Sequence, residues 1–162
     1  MNETGINVQA LIQKCAQKGI TLSTAESCTG GLIATLLTDV AGSSAVFHGA
    51  CITYTNEIKQ LLLGVDPEII KQDTEVSHAC ARAMADGVRK KLGTTLAVST
   101  TGFAGPTGGT PEDPVGTVYL AISSPQGTFS ERLSLPSHRT REEIRSAAAQ
   151  RALALLDQYA NQ

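Results

Sequence analysis

The chain has 162 residues, the span of one ordinary domain, and its 41% hydrophobic and 17% charged residues exclude a disordered tract. A net charge of −2, with no long like-charged run, argues against a nucleic-acid binder, which carries a basic stripe. No apolar run reaches the roughly 18 residues of a membrane span, and the opening MNETGINVQALIQKCAQKG lacks the basic start and apolar stretch of a signal peptide, so a cytoplasmic protein with no membrane partner is expected.

Val8, Leu11, Ile12 and Cys15 fall at helical spacing and predict a first helix, ended by Gly19. ITLSTA then reads as a strand. Leu32, Ile33, Leu36, Leu37 and Val40 make one face of a second helix, closed by AGSS. AVFHGACITYT is mostly apolar, as expected of a strand covered on both faces. Asn56 is placed to cap the short helix EIKQLLL, with Gly64 past its end, and DPEII adds a further turn with Pro67 near its start. Ser77 is placed to cap a longer helix striped by Ala81, Met84, Val88 and Leu92 and stopped by Gly93.

TLAVSTT is a third buried strand, and GFAGPTGGTPEDP a 13-residue loop after it. VGTVYLAISS and GTFSERLSL flank PQ and predict a hairpin with Gly127 at its turn. Thr140 and Glu143 form a capping box, after which Ile144, Ala148, Arg151 and Leu155 run down a last, mostly apolar helix. Strands separated by helices imply parallel members, and the hairpin makes the sheet mixed. The expected fold is α/β, a three-layer α/β/α sandwich around a mixed sheet of about five strands, in one domain over residues 1–162.

Sites in such sheets lie beyond the carboxyl ends of parallel strands. AESCTGG, TYTNEIK and STTGFAGPTGG end the first three strands and would converge on one crevice. Ser27 there is either a helix cap or a nucleophile. A helix N-terminus beside it offers N–H donors for an oxyanion, and Gly30 and Gly31 let a substrate approach the backbone. A serine needs a base. His48, His78 and His138 lie elsewhere by position, which leaves Lys59, on the short helix after the second strand. Its pKa would have to fall from about 10.4 to about 7–8 for it to serve. Tyr54 stands between, able to relay a proton or orient the amine. The plain alternatives are a surface lysine and an interface tyrosine.

Cys28 is a rival nucleophile, whose thiol a helix N-terminus would activate, though no histidine is placed to assist it. Cys15, Cys28, Cys51 and Cys80 are scattered, with no C-x-x-C, so a metal site is not expected and buried free thiols are. The Gly-rich loop lacks the Lys-Ser/Thr of a phosphate-binding P-loop. Arg141, at the first turn of the last helix, is a candidate anion contact, with Arg139 and Arg145 as competitors.

STAESCTGG, GSSAVFHGACITYTNEIKQLLLGV, TTGFAGPTGGTPEDPVGTVYLAI and RTREEIR, taken in order, resemble the CinA C-terminal domain family, the nicotinamide-mononucleotide amidases. The resemblance runs nearly the whole chain. It implies hydrolysis of the carboxamide of nicotinamide mononucleotide to nicotinic acid mononucleotide and ammonia, in pyridine-nucleotide recycling, by a Ser-Lys mechanism with no metal or cofactor. It implies Ser27 of A-E-S-C-T-G-G as nucleophile, Lys59 of Y-x-N-E-x-K as base with Tyr54 assisting, and Thr101, before G-x-A-G-P, near the substrate. Arg141 is the expected arginine of the last helix, and Thr29, Gly30, Gly31, Gly102 and Gly105 complete the expected substrate-binding set. The oxyanion would rest on N–H groups near Cys28 to Gly31. Many members carry a larger N-terminal domain of nucleotide-pyrophosphatase character that these residues do not resemble, so the stand-alone form is expected, as a homo-oligomer to which the last helix could lend an apolar face. The alternatives are a non-catalytic nucleotide-binding module and a thiol-dependent hydrolase using Cys28.

Overall fold

The computed structural model describes residues 5–162; residues 1–4, the start of the stretch read as lacking a signal peptide, lie outside them. In chain order the elements are α1 (Val8–Lys18), β1 (Leu22–Glu26), α2 (Leu32–Thr38), a 3-10 turn (Ser43–Ala45), β2 (Phe47–Ile52), α3 (Asn56–Leu63), α4 (Pro67–Asp73), α5 (His78–Leu92), β3 (Leu96–Gly102), β4 (Thr117–Ser124), β5 (Gly127–Ser134) and α6 (Arg141–Ala160). No described helix is long and apolar enough to cross a membrane.

Local chemistry sets most of these bounds. Gly19, Gly64 and Gly93 end α1, α3 and α5 in the left-handed conformation that glycine adopts without strain. Ser77 caps α5 by accepting from the Cys80 N–H at 3.1 Å, and Thr140 with Glu143 closes a reciprocal box on α6. The cap of α3 is Thr55, whose hydroxyl accepts from the Ile58 N–H; Asn56 is the first helical residue instead.

The five strands lie in the order β2-β1-β3-β4-β5. β1 runs parallel to β2 and β3, while β3–β4 and β4–β5 are antiparallel. Side chains alternate across the sheet. Leu22, Leu96, Val98, Val118, Leu120 and Ile122 face α1, α2 and α6, where each buried Leu or Ile contributes roughly 1.5–3 kcal/mol. Ala25, Ala97 and Ala121 face α5, with α3 and α4 packed beside it. Small side chains let α5 sit close to the sheet. A Cβ at Gly87 would lie 2.1 Å from the Leu63 carbonyl oxygen, so only glycine lets α5 close on the end of α3.

One expectation about exposure changes. β2 stops at Ile52 and is an edge strand, half-buried along its length, whereas a strand covered on both faces was expected. An apolar run meets one sheet face and one open edge equally well. In α6 the apolar stripe read from the sequence faces inward: Ile144, Ala148, Leu153 and Leu156 are fully buried in the core of this chain.

Candidate active site

The register levels three strand ends. Glu26, last in β1, lies opposite Ile52 of β2 and Thr100 of β3. Pairing continues one step further: the Ser27 N–H donates to Thr100 O at 3.1 Å and the Thr53 N–H to Glu26 O at 2.8 Å. Ser27 and Thr53 are thereby tied side by side just past the sheet.

Lys59 comes to them from α3. Its Nζ donates to Ser27 Oγ at 2.9 Å and to the Thr53 carbonyl at 2.9 Å. The residue is 1% exposed, deeper than its sequence position implies. Burial pushes its pKa below the usual lysine value, against the opposing influence of Cys80, Glu75 and Cys28. Burial lifts the Cys28 and Cys80 thiols to about 11, so both are neutral near pH 7. Glu75 is then the standing negative charge near the amine. No described carboxylate pairs with Lys59.

The turn after Ser27 is braced from two sides. The Glu26 carboxylate, fully buried, accepts from the N–H groups of Gly31, Ile33 and Ala34 at 3.0–3.1 Å and from the hydroxyls of Thr29 and Thr24 at 2.8 and 3.1 Å. Arg145 of α6 donates to the carbonyls of Cys28 and Thr29 at 3.1 and 2.9 Å. Neither Ser27 nor Thr29 caps α2; the carboxylate of Glu26 does. The α2 donors expected to be free for an oxyanion are therefore taken. The Gly30 N–H is also used, on Ser27 O at 3.1 Å. The N–H groups of Cys28 and Thr29 donate to no other described residue, and of the two only Cys28 lines the crevice above Ser27 and Lys59.

A crevice of about 230 Å³ opens over this pair. Ser27, Lys59, Tyr54, Thr101, Gly105 and Arg141 line it, with Gly102 and Cys28. Arg141 bridges its mouth, donating to Gly105 O at 2.7 Å and to the Tyr54 hydroxyl at 2.9 Å. Tyr54 is 60% exposed and its hydroxyl bonds to neither Ser27 nor Lys59, so the relay expected of it has no path here. The Thr101 hydroxyl donates to Glu75 O at 2.7 Å and faces the crevice with its proton already engaged.

Thr29, Gly30 and Gly31 stand outside the crevice. The Thr29 hydroxyl is buried against Glu26 and Thr100, Gly31 serves Glu26, and Gly30 packs near Arg145. Both glycines sit at positive φ, 60° and 101°, so their freedom shapes the turn. Of the three arginines only Arg141 reaches the crevice; Arg139 lines a separate recess on α6. None of the three histidines lines it.

Sequence reasoning missed Glu26, Glu75 and Phe103, and weighed Arg145 only as an anion contact, not as the brace of the turn. One signal was available for the first: an acidic residue closing a strand of small buried residues needs matched donors.

Residues 6–160 match the family model of the CinA C-terminal domain. The chain belongs to that family. It is 49% identical over 150 residues to a CinA-like protein of Myxococcus xanthus, covering 92% of this chain and 35% of that protein. It is 47% identical over 160 residues to a putative competence-damage inducible protein of Symbiobacterium thermophilum, covering 93% and 37%. It therefore spans about a third of the length of these curated relatives. Among solved structures it is similar to the competence/damage inducible protein CihA from Agrobacterium tumefaciens, at 39% identity and a TM-score of 0.88, with all of both chains covered.

Proposed function

We infer that this CinA-family domain is an amidase that hydrolyses the carboxamide of nicotinamide mononucleotide to nicotinic acid mononucleotide and ammonia. One observation carries the reading: a fully buried lysine amine, with no carboxylate partner, 2.9 Å from a serine hydroxyl at the crevice floor. The family likeness supplies the substrate.

The chemistry follows from the contacts. A neutral Lys59 amine donates one N–H hydrogen bond to Thr53 O, which leaves its lone pair to accept from the Ser27 hydroxyl 2.9 Å away. Ser27 attacks the carboxamide carbon as Lys59 takes its proton. The Cys28 N–H, which belongs to the crevice lining and serves no other described residue, is the donor for the developing oxyanion, and such a donor is worth about 2.7–4 kcal/mol. The ammonium of Lys59 then passes the Ser27 proton to the carboxamide nitrogen as the C–N bond breaks and ammonia leaves. Lys59 next takes a proton from water, which attacks the acyl-enzyme ester and releases the acid, the proton returning to Ser27 Oγ. Glu26 and Arg145 hold the turn so that Ser27 and the Cys28 N–H keep one geometry. Tyr54 and Arg141 form the rim where the substrate's anionic end binds. The crevice is smaller than the roughly 300–1,000 Å³ that encloses a drug-sized ligand, which suits a ring inside and the rest of a nucleotide at the mouth.

Cys28 does not replace Ser27 in this scheme, because a thiol raised to about 11 is scarcely ionised near neutral pH. The test is ammonia release from nicotinamide mononucleotide, its riboside and free nicotinamide, with Ser27→Ala and Cys28→Ala in parallel. Release from the mononucleotide, abolished by Ser27→Ala and only modestly reduced by Cys28→Ala, supports the reading. No release from any of the three, or loss only with Cys28→Ala, overturns it.

A further inference from the structure

Two charged groups in the crevice have no role in the bond-breaking steps. The Glu75 carboxylate is half-buried on the segment between α4 and α5, lines the crevice, and makes no hydrogen bond or ion pair with any described residue. Only its backbone carbonyl is engaged, by Thr101. The Arg141 guanidinium reaches two neutral acceptors, Gly105 O and the Tyr54 hydroxyl. The ion pairs among the described residues lie elsewhere and join neither group. One cavity thus holds an anion and a cation that do not neutralise each other.

They also belong to different flanks. Glu75 and Phe103 also line a second recess, with Asp73, Glu112 and Asp113, of which Asp113 is paired with Arg132. Arg141 also lines a third, with Leu32, Arg145 and Glu142. The Phe103 ring lies on the Glu75 side, lining both the crevice and the acidic recess.

We propose that Glu75 is a specificity-determining residue: its carboxylate, with the face of Phe103, selects an amide carried on a positively charged ring, while Arg141 takes the anionic group of the same molecule. This rests on the amidase reading of Ser27 and Lys59. A cationic ring gains from a carboxylate and an aromatic face together. A neutral ring of the same shape would strip water from Glu75 and return nothing, so the group also rejects. A cationic ring withdraws electrons from its carboxamide, so the selected molecule is the one whose carbonyl a serine attacks more readily. Glu75 holds Thr101 through its main chain, and that contact survives a side-chain substitution.

The test uses binding, because a neutral ring also changes reactivity. Calorimetry measures nicotinamide mononucleotide and its reduced dihydro form, nearly the same shape with one positive charge fewer. The proteins are Ser27→Ala alone, with Glu75→Gln, and with Glu75→Asp. Ser27→Ala alone is expected to prefer the cationic ring. Glu75→Gln is expected to weaken that ring about tenfold and the dihydro form less than about twofold, with Glu75→Asp keeping most of the preference. Equal weakening of both ligands, or of neither, overturns the proposal; a role confined to the basicity of Lys59 would produce that result. If Glu75→Gln does not fold, the salt dependence of the Ser27→Ala protein decides: the preference must shrink as sodium chloride rises from about 0.05 to about 0.5 M, and a salt-independent preference overturns the proposal. Native protein that releases ammonia while Glu75→Gln keeps its preference defeats this inference alone. Native protein that releases none defeats the amidase reading beneath it.

Discussion

The hairpin half of the sheet and the crevice half treat charge in opposite ways. Beside the hairpin, Arg151 of α6 grips Glu131 of β5 through two nitrogens at 2.5 and 2.7 Å, and Arg132 reaches Asp113 at 3.1 Å. At the ends of the parallel strands the amine of Lys59 is buried beside a hydroxyl and a carbonyl, and among the described residues Glu75 has no cation and Arg141 no anion. The hairpin charges sit in partial contact with solvent and are matched. The crevice charges are unmatched among the described residues whatever their depth: Lys59 is buried, Glu75 half-buried and Arg141 exposed, an arrangement that costs stability at Lys59 and leaves reactive or ligand-hungry groups. Perturbing each half should separate loss of chemistry from loss of fold.

The largest effect is expected at Lys59. Lys59→Met keeps the length of the side chain and removes the amine. Ammonia release should fall by roughly 10³-fold or more, as when one member of a nucleophile–base pair is removed, while substrate still binds. The melting temperature should hold or rise, because a buried amine whose partners are a hydroxyl and a carbonyl, with no carboxylate among the described residues, is a burden on folding. Substantial turnover by this variant would end the lysine-base reading and make the crevice no different from the hairpin.

A pH profile sharpens the same point. Turnover needs the neutral amine, so kcat/KM should fall about tenfold per pH unit below the lowered pKa of Lys59 and level off above it. Glu75 raises that pKa, so Glu75→Gln should move the acid limb to lower pH. Stability has a defined sign. The unfolded lysine holds a proton that the folded one gives up, so the penalty is greatest below the folded pKa and disappears as pH rises to the ordinary value of about 10.4. The advantage of Lys59→Met in denaturant unfolding should shrink in that direction. An acid limb unmoved by Glu75→Gln would remove Glu75 from the electrostatics of the amine.

Next in size is Glu26→Ala, read in unfolding. The substitution leaves three backbone N–H groups and two hydroxyls without their acceptor. A loss on the order of 2–4 kcal/mol is expected from buried donors left unpaired at a helix start. Turnover should fall as well, because the turn carrying Ser27 loses one of its two braces. Glu26→Gln, which keeps an acceptor oxygen, should fall between. Unchanged stability would show that water replaces the carboxylate at the head of α2.

How much of this was legible in the sequence depends on the distance over which each feature is decided. Gly19, Gly64 and Gly93, the Thr140–Glu143 box and the PQ turn act within a few residues, and each stands where its chemistry puts it. The convergence of the first three strand ends follows from parallel pairing, which the intervening helices require. What stayed hidden is set by long-range contact. Arg145 meets the Cys28 carbonyl across 117 residues, and Tyr54 turns to Arg141 across 87, so neither orientation is written near either residue. Glu26 meets its donors only once the chain has turned back over it. The edge position of β2 depends on the order of strands, which its own apolar run does not encode.

The smallest effect belongs to the hairpin. Arg151→Ala removes an ion pair with good two-nitrogen geometry, yet the side chains of Arg151 and Glu131 are still 38% and 34% exposed. Water and salt screen such a pair, so the expected loss is about 0–1 kcal/mol in denaturant unfolding, less at high ionic strength. Ammonia release should not change, because α6 stays anchored through Ile144, Ala148, Leu153 and Leu156, and Arg141 and Arg145 ride on that anchored stretch. A marked drop in turnover would mean that the middle of α6 transmits to its first turn. The contrast between matched and unmatched charge would then describe one coupled unit, with Arg151 tuning the arginines nearer the crevice from the middle of the helix.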